Sequence, residues 1–428
     1  MINLTSQYLL NKPNIITEAT FKYDNNFCMI DILKNDYDGM EIYEVKSSMG
    51  LNEIYIDDAS FQYYVVSNLG FNVKKVCIIY INSEYTLENE LNLDELFKVE
   101  DITDIVLEKQ DEIRDNINNA NLFMAQHTVK EPDMEIGTHC INPYDCDFLH
   151  YCTKDLIKPN IFDIKGINNE LKLKKYNEGK ISFDDLKHDE DLSSRCLEQI
   201  DFELNNLNPK IDKKAIKDLI DSLKYPLYFL DYETIRFAIP VIEKTKPYKP
   251  ALPFQYSLHI LKDENAELDH KEFLAEPDDP DLVRHFADSL IGNIPDSGSV
   301  IVYSKYEKTI NNNIIELYPE YKFELERINS NLVDFMEIFE QRKYYTKQMN
   351  GSYSLKSVLP ALYPDDKKLD YSNLLLVHDG NEASAEFLSL NDYSSNKQEF
   401  VRGRLLEYCK LDTYALVKIY EKFRDVIK

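Results

Sequence analysis

The sequence predicts an α/β fold in which two sheet-bearing parts are joined by a helical connector. Three observations predict it. Short apolar or alternating runs of strand period, with one amphipathic helical run among them, fill residues 17 to 81. Residues 155 to 224 are rich in Lys and Asp, have helical periodicity and contain no strong strand pattern. From residue 225 strand-like and helix-like runs alternate again, the pattern of a mixed sheet covered by helices. The boundaries expected on this basis are 1–155, 156–224 and 225–428.

In the first part, ITEATFKY and FCMIDIL read as paired strands around the turn Asp24-Asn25-Asn26, and MEIYEVKSS as a third strand after Asp38-Gly39. DDASFQYYVVSNLG reads as a helix with aspartates in its first turn and Gly70 at its end. VKKVCIIYI is β-branched and apolar, the pattern of a buried strand, and helical sequence is expected from there to about residue 130. The connector ends in the helix KKAIKDLIDSLK before Pro226. In the last part LYFLDYE, PFQYSLHIL and SVIVYS read as strands, and DLVRHFADSL, 331–342 and 399–425 as helices.

The 428 residues suffice for two or three domains of roughly 150 each. With no apolar run of about 18 residues, a membrane-spanning helix is not expected. The start, MINLTSQYLLNKPN, lacks the basic stretch and small-residue cleavage site of a secretory signal. Seven cysteines, three of them clustered, do not suggest a disulfide framework, so a bacterial-type cytoplasmic protein is expected. The net charge of −27 argues against a non-specific polyanion binder, so any nucleic-acid contact has to come from local basic patches. KLKKYNEGK (172–180) and Lys343, Lys347 and Lys356 are the candidates, and ordinary solvated faces explain them equally. Oligomeric state is not legible.

Four groups of residues carry candidate chemistry. Asp31 interrupts an apolar strand, and Glu44 and Lys46, two apart, share a face of the next. Two carboxylates and an ammonium on adjacent strands can bind Mg²⁺ and orient a water, although cross-strand salt bridging accounts for the same types. Cys140, Cys146 and Cys152 are spaced as metal or cluster ligands, with His139 and His150 offering the fourth position of a zinc site; free buried thiols are the alternative. The stretch IFDIKGINNELKLKKYNEGKISFDDLK (161–187) has Gly166 and Gly179 where turns are expected, and reads either as a backbone phosphate contact or as a plain helical spacer. Asp231 and Glu233, two apart on an apolar strand, project from one face, as a catalytic acid pair or a buried hydrogen-bonded pair would.

Two resemblances sharpen these readings. An acid, then Glu-x-Lys on the next strand, then a helix with Gln62, then a strand, resembles the PD-(D/E)XK nucleases, closest to the RecB-type branch that includes the CRISPR adaptation nucleases. That implies metal binding by Asp31 and Glu44, with Lys46 catalytic. The branch often has Tyr four residues after the Gln; here position 66 is Val. It also implies a four-cysteine iron–sulfur cluster, for which Cys140, Cys146 and Cys152 match the downstream three. The first, upstream cysteine has no counterpart, so a truncated nuclease half with an incomplete iron–sulfur or zinc ligand set is expected. The helical connector faintly resembles a helix-hairpin-helix.

Phe-Leu-Asp-Tyr-Glu-Thr resembles the first motif of the DEDD exonucleases, the RNase H-like 3′–5′ superfamily. Tyr408 and Asp412 in EYCKLDTYAL match the Tyr-x-x-x-Asp of its tyrosine subclass, and the Ser-Leu-Lys of SYSLKSVLPALYP matches the segment before it. The resemblance implies a mixed sheet with helices on both faces, and Mg²⁺ or Mn²⁺ held by Asp231, Glu233 and Asp412. Glu307 or Asp334 supplies the fourth acid and Tyr408 orients the attacking water. The substrate is DNA or RNA. The whole arrangement, including KTKPYKPALPFQYSLH, resembles an uncharacterised bacterial domain-of-unknown-function family whose members join a RecB-like half to a DEDD-like half. The function expected is a divalent-metal-dependent 3′–5′ exonuclease. The alternative is a nucleic-acid-binding or scaffold protein with decayed catalytic sites.

Overall fold

The computed structural model describes residues 1–11, 13–295 and 297–428. The fold is mixed α/β with two five-stranded sheets, and it divides into two compact units. The first comprises residues 1–135 and 237–249, the second 136–236 and 250–428. These limits differ from the expected boundaries: residues 136–224 pack with the last part of the chain, and the segment 237–249 belongs to the first unit.

In the first unit, strands β1 (Ile15–Tyr23), β2 (Asn26–Asp36) and β3 (Gly39–Lys46) form an antiparallel meander. The helix Glu53–Asn68 then crosses over, so that β4 (Val73–Ile81) lies parallel to β3. Asn52 caps this helix by accepting from the Ile54 amide, and Ala59, Gln62, Val65 and Val66 form its buried stripe. Ala59, Val65 and Val66 close a core with Ile30, Leu33, Ile42 and Val76. Within the stretch expected to be helical throughout, Phe97–Asp101 is instead a strand, β5, antiparallel to β4. Its sequence FKVED is charged and mostly exposed, as suits a sheet edge, and that polarity hides the strand period.

The second unit opens with helices. The short strand β6 (Lys210–Ile211) and the helix Lys213–Ser222 precede β7 (Leu227–Ile235), β8 (Leu252–Leu261), β9 (Asp269–Leu274), β10 (Ser299–Val302) and β11 (Leu332–Asp334). A last strand, β12 (Tyr344–Tyr345), pairs with β6. The main sheet has the order β11-β10-β7-β8-β9, with β7 central. It is parallel to β10 and antiparallel to β8, and β11 continues parallel beyond β10. Residues 331–342, expected as helix, begin with strand β11 and turn helical only at Met336. Three residues are too few to reveal a period. The half-polar β9 (DHKEFL) was also illegible for lack of an apolar run.

Side-chain alternation along β7 places helices on both of its faces. Phe229 meets Tyr420 of the helix Ser395–Ile427 at 5.8 Å between ring centroids. Tyr232, of opposite parity, meets Phe286 of the helix Leu282–Asn293 at 5.0 Å. Residues 229, 231 and 233 share a face, so Asp231 and Glu233 point the same way as Phe229, toward the C-terminal helix. No helix among the described residues is long and apolar enough to cross a membrane.

Candidate active site

Strand β7 is covered on both faces and flanked on both sides, so it tolerates an unbroken apolar run from Leu227 to Leu230, all buried. Its pairing with β10 runs as far as Phe229↔Ile301. Asp231 and Glu233 follow, still paired to Ser257 and Gln255 of β8, and a register shift after Glu233 ends the regular ladder. The two acids thus lie where parallel strands reach their carboxyl ends, the usual place for a ligand site in an open α/β sheet. Asp334, opposite Val302, closes β11 at the same end of the sheet.

The helix Ser395–Ile427 brings the remaining groups. Tyr408 and Asp412, four apart, share one of its faces, and both are buried. The Tyr371 hydroxyl donates to Asp412 Oδ1 at 2.5 Å. Cys409 Sγ lies 3.7 Å from Asp231 Oδ2, and ligand atoms of Asp231, Glu233 and Cys409 all lie within 4.8 Å of one another. This is the one metal-sized group of His, Cys, Asp and Glu among the described residues.

These acids are held against their chemistry. Burial raises Asp231 well above the ordinary carboxylate range, and the charges of Asp412, Glu233 and Glu307 raise it further. Glu233 is raised by burial and by Asp412, with Lys356 opposing. Asp412 is pushed up to about 6 by burial, against the hydrogen bond from Tyr371, the charge of Lys356 and the hydrogen bond from Tyr408. Burial lifts the Tyr408 phenol far above its usual value, so it stays protonated. Lys356 Nζ sits 5.7 Å from the ring centroids of both Tyr371 and Tyr408, and is anchored on the His378 carbonyl.

Of the two rivals for a fourth acid, Glu307 is the one whose charge reaches Asp231 and Glu233. It is 3% exposed and its Oε2 has no hydrogen-bond partner. Asp334 acts instead on Glu307, which burial and that charge push up to about 8. Several mutually repelling buried acids suit a divalent cation, whose charge would relieve the repulsion. Asp231 and Glu233 are the oxygens best placed to hold one. Beside Glu233 an open cavity of 470 Å³ is lined by Arg236, Tyr306, Asn381 and Ser384.

The first unit gathers its predicted residues differently. Glu44 is buried, with Oε1 2.7 Å from Lys46 Nζ and Oε2 accepting from Gln62 Nε2 at 2.6 Å. Lys46 also binds Asp58 at 2.6 Å. Burial pulls the ammonium down, but the two carboxylates outweigh it and hold Lys46 above its ordinary value. Asp31 Oδ2 accepts from the Val45 amide at 2.7 Å, so it is tied to the backbone of β3 between Glu44 and Lys46.

Cys140 is buried, Cys146 half-buried and Cys152 exposed, and the three thiols form no metal-sized group among the described residues. Cys140 and Cys146 instead join a small apolar cluster with Ile136, Leu149 and Leu173.

Sequence reasoning missed Cys409, Tyr371 and Asp58. Cys409 had a local signal, since it sits between Tyr408 and Asp412 on a helix and is three residues from the latter. Tyr371 had none, because only the tertiary fold brings it to Asp412.

Residues 228–354 match the family model described as "Domain of unknown function (DUF2779)". That span includes Asp231, Glu233, Glu307 and Asp334. The "Uncharacterized protein MG366 homolog" of Mycoplasma pneumoniae (strain ATCC 29342 / M129 / Subtype 1) is 30% identical over 246 residues, which cover 50% of this chain and 36% of that protein. The chain thus spans about a third of the length of that relative. No solved structure matches it.

Proposed function

We propose that this chain, which carries a DUF2779 domain over residues 228–354, is a divalent-metal-dependent nuclease that removes nucleotides from the 3′ end of DNA or RNA. The observation that carries the reading is the metal-sized pair of Asp231 and Glu233 on the central strand, with buried Asp412 of the C-terminal helix adding its charge to them. A bound divalent cation would supply Lewis-acid stabilisation of charge on the phosphate oxygens. Asp231 and Glu233 would hold it, with Asp412 and Glu307 as the further acids.

The chain's own groups do the rest. Tyr408, protonated at any working pH, serves as an orienting group for the attacking water rather than as a base. Tyr371 fixes the Asp412 carboxylate by donating to one of its oxygens. Lys356 places a positive charge beside the acids and is suited to a phosphate oxygen. The cavity beside Glu233 has room for a terminal nucleotide. In the first unit, Asp31, Glu44 and Lys46 form a second acid–lysine group of the PD-(D/E)XK kind.

The test is degradation of 3′-labelled and 3′-blocked single strands in Mn²⁺. Wild type is expected to shorten the free end only. Asp231→Ala should abolish cleavage with little loss of stability, because it relieves repulsion. Tyr408→Phe should slow turnover while leaving metal binding intact. Equal, EDTA-insensitive cleavage by wild type and Asp231→Ala would overturn the assignment. Binding without cleavage of any DNA or RNA would favour a binding protein with decayed catalytic sites.

A further inference from the structure

We propose that Cys409 is a metal ligand, and that Asp231, Glu233 and Cys409 together form a site selective for a thiophilic divalent cation of the zinc class over Mg²⁺. The inference rests on the proposed function only in placing a cation beside Asp231 and Glu233; it does not require cleavage.

Geometry comes first. One carboxylate oxygen from each acid and the Cys409 sulfur lie within 4.8 Å of one another, a separation that a single ion can span with ordinary metal–oxygen and metal–sulfur bonds. The three come from two rigid elements, adjacent positions of one face of β7 and the middle of a 33-residue helix. A site built on such elements is positioned without rearrangement of loops. Cys409 is 0% exposed and lies among the buried core residues of the helix, beside Tyr408 and Asp412. Its sulfur is directed at the Asp231 carboxylate and carbonyl, 3.7 Å from each.

A further buried acid adds its charge to the same group. Glu307 is buried to 3% exposure with Oε2 unpartnered, from a different helix, Tyr306–Leu317. A buried carboxyl group without a partner is costly when charged, and either a proton or a nearby cation relieves that cost. Ligand chemistry then sets the preference. Carboxylates alone suit Mg²⁺ or Mn²⁺, whereas a thiolate favours softer ions. On binding, the Cys409 proton leaves to solvent, the sulfur becomes a thiolate and the new bond is sulfur to metal, with no change of oxidation state.

Co²⁺ is the probe, because a cobalt–thiolate bond gives a charge-transfer absorption that carboxylate ligation lacks. The whole chain is titrated with Co²⁺ and then competed with Zn²⁺ and Mg²⁺. The band is expected in wild type and should be lost both in Cys409→Ser and in Asp231→Asn, which keeps every thiol. Zn²⁺ affinity should fall at least about tenfold in Cys409→Ser, with Mg²⁺ affinity little changed. A band that survives in either variant would come from other thiols and overturns the proposal, as does its absence from wild type. If Cys409→Ser does not fold, Cys409→Ala and the Asp231→Asn titration decide it. Loss of nuclease activity in all conditions would sink the proposed function yet leave this result standing.

Discussion

Glu307 is an acid in a place that favours its neutral form. Its pKa, pushed up to about 8 by burial with Asp334 adding, means that the folded chain keeps this proton between pH 4.5 and 8 while the unfolded chain has released it. Stability therefore falls as pH rises through that window. Glu307→Gln removes the slope, so in EDTA its melting temperature should rise relative to wild type as pH is taken from 4.5 to 8. A difference independent of pH would contradict the burial argument. His259 and His270 act in the opposite sense. Their rings lie 4.5 Å apart, and each is tied to a hydroxyl, Thr413 and Ser257 respectively. Burial, then the neighbouring positive groups His270 and Lys410, lowers His259 to about 3; burial, then Lys410, lowers His270 to about 4. Both stay neutral in the fold, and the stability they confer is present above pH 6.5 and lost as pH falls toward 3. Replacing His259 with Gln should flatten the acid limb of the melting curve between pH 6.5 and 4.

At the scale of elements, the turn after β12 shows what a pattern search cannot see. Gly351 has φ +79, and a Cβ there would lie 2.2 Å from Gln199 Oε1. Gly351→Ala should cost on the order of 1–3 kcal/mol from backbone strain and more from the clash, read as a lower urea midpoint with unchanged slope. Nothing local in NGSYS announces that Gln199, far upstream, packs there. The elements that were legible were those whose own side chains dictate them. β7 is an apolar run flanked by Pro226, and the helix Lys213–Ser222 has its apolar residues on one face. β5, β9 and β11 were not, because short or polar edge strands are specified by their neighbours. The same holds within the site: Asp231, Glu233, Tyr408 and Asp412 were found by spacing, whereas Tyr371 reaches Asp412 only through a tertiary path.

At the scale of the whole chain, composition placed a boundary near residue 224 that the packing does not respect. Phe202 and Ile216, from the expected connector, are buried in the same core as Phe229, Phe335 and Phe423. Ile211 pairs with Tyr344, Arg195 donates to the Glu340 carbonyl and Gln199 to the Asn350 carbonyl. A fragment of residues 225–428 should therefore lack a cooperative melt and expose apolar surface, whereas residues 136–428 should unfold cooperatively. Equal melting of the two would show the connector to be a mere spacer. The charge of −27 adds a further expectation. Binding of single strands should depend on divalent cation far more than on monovalent salt, since 76 Asp and Glu outnumber 49 Lys and Arg and repel the phosphates.

The crowding of like charges around Asp231 has a consequence for the life of the molecule in a cell. Copies without a cation carry that repulsion in their folded state and open more often, while copies that hold one are stabilised by mass action. Proteases that patrol for opened chains would clear the first kind sooner. Turnover would then act as a sorting step, and the standing population would be richer in charged-up, working molecules than synthesis alone would make it.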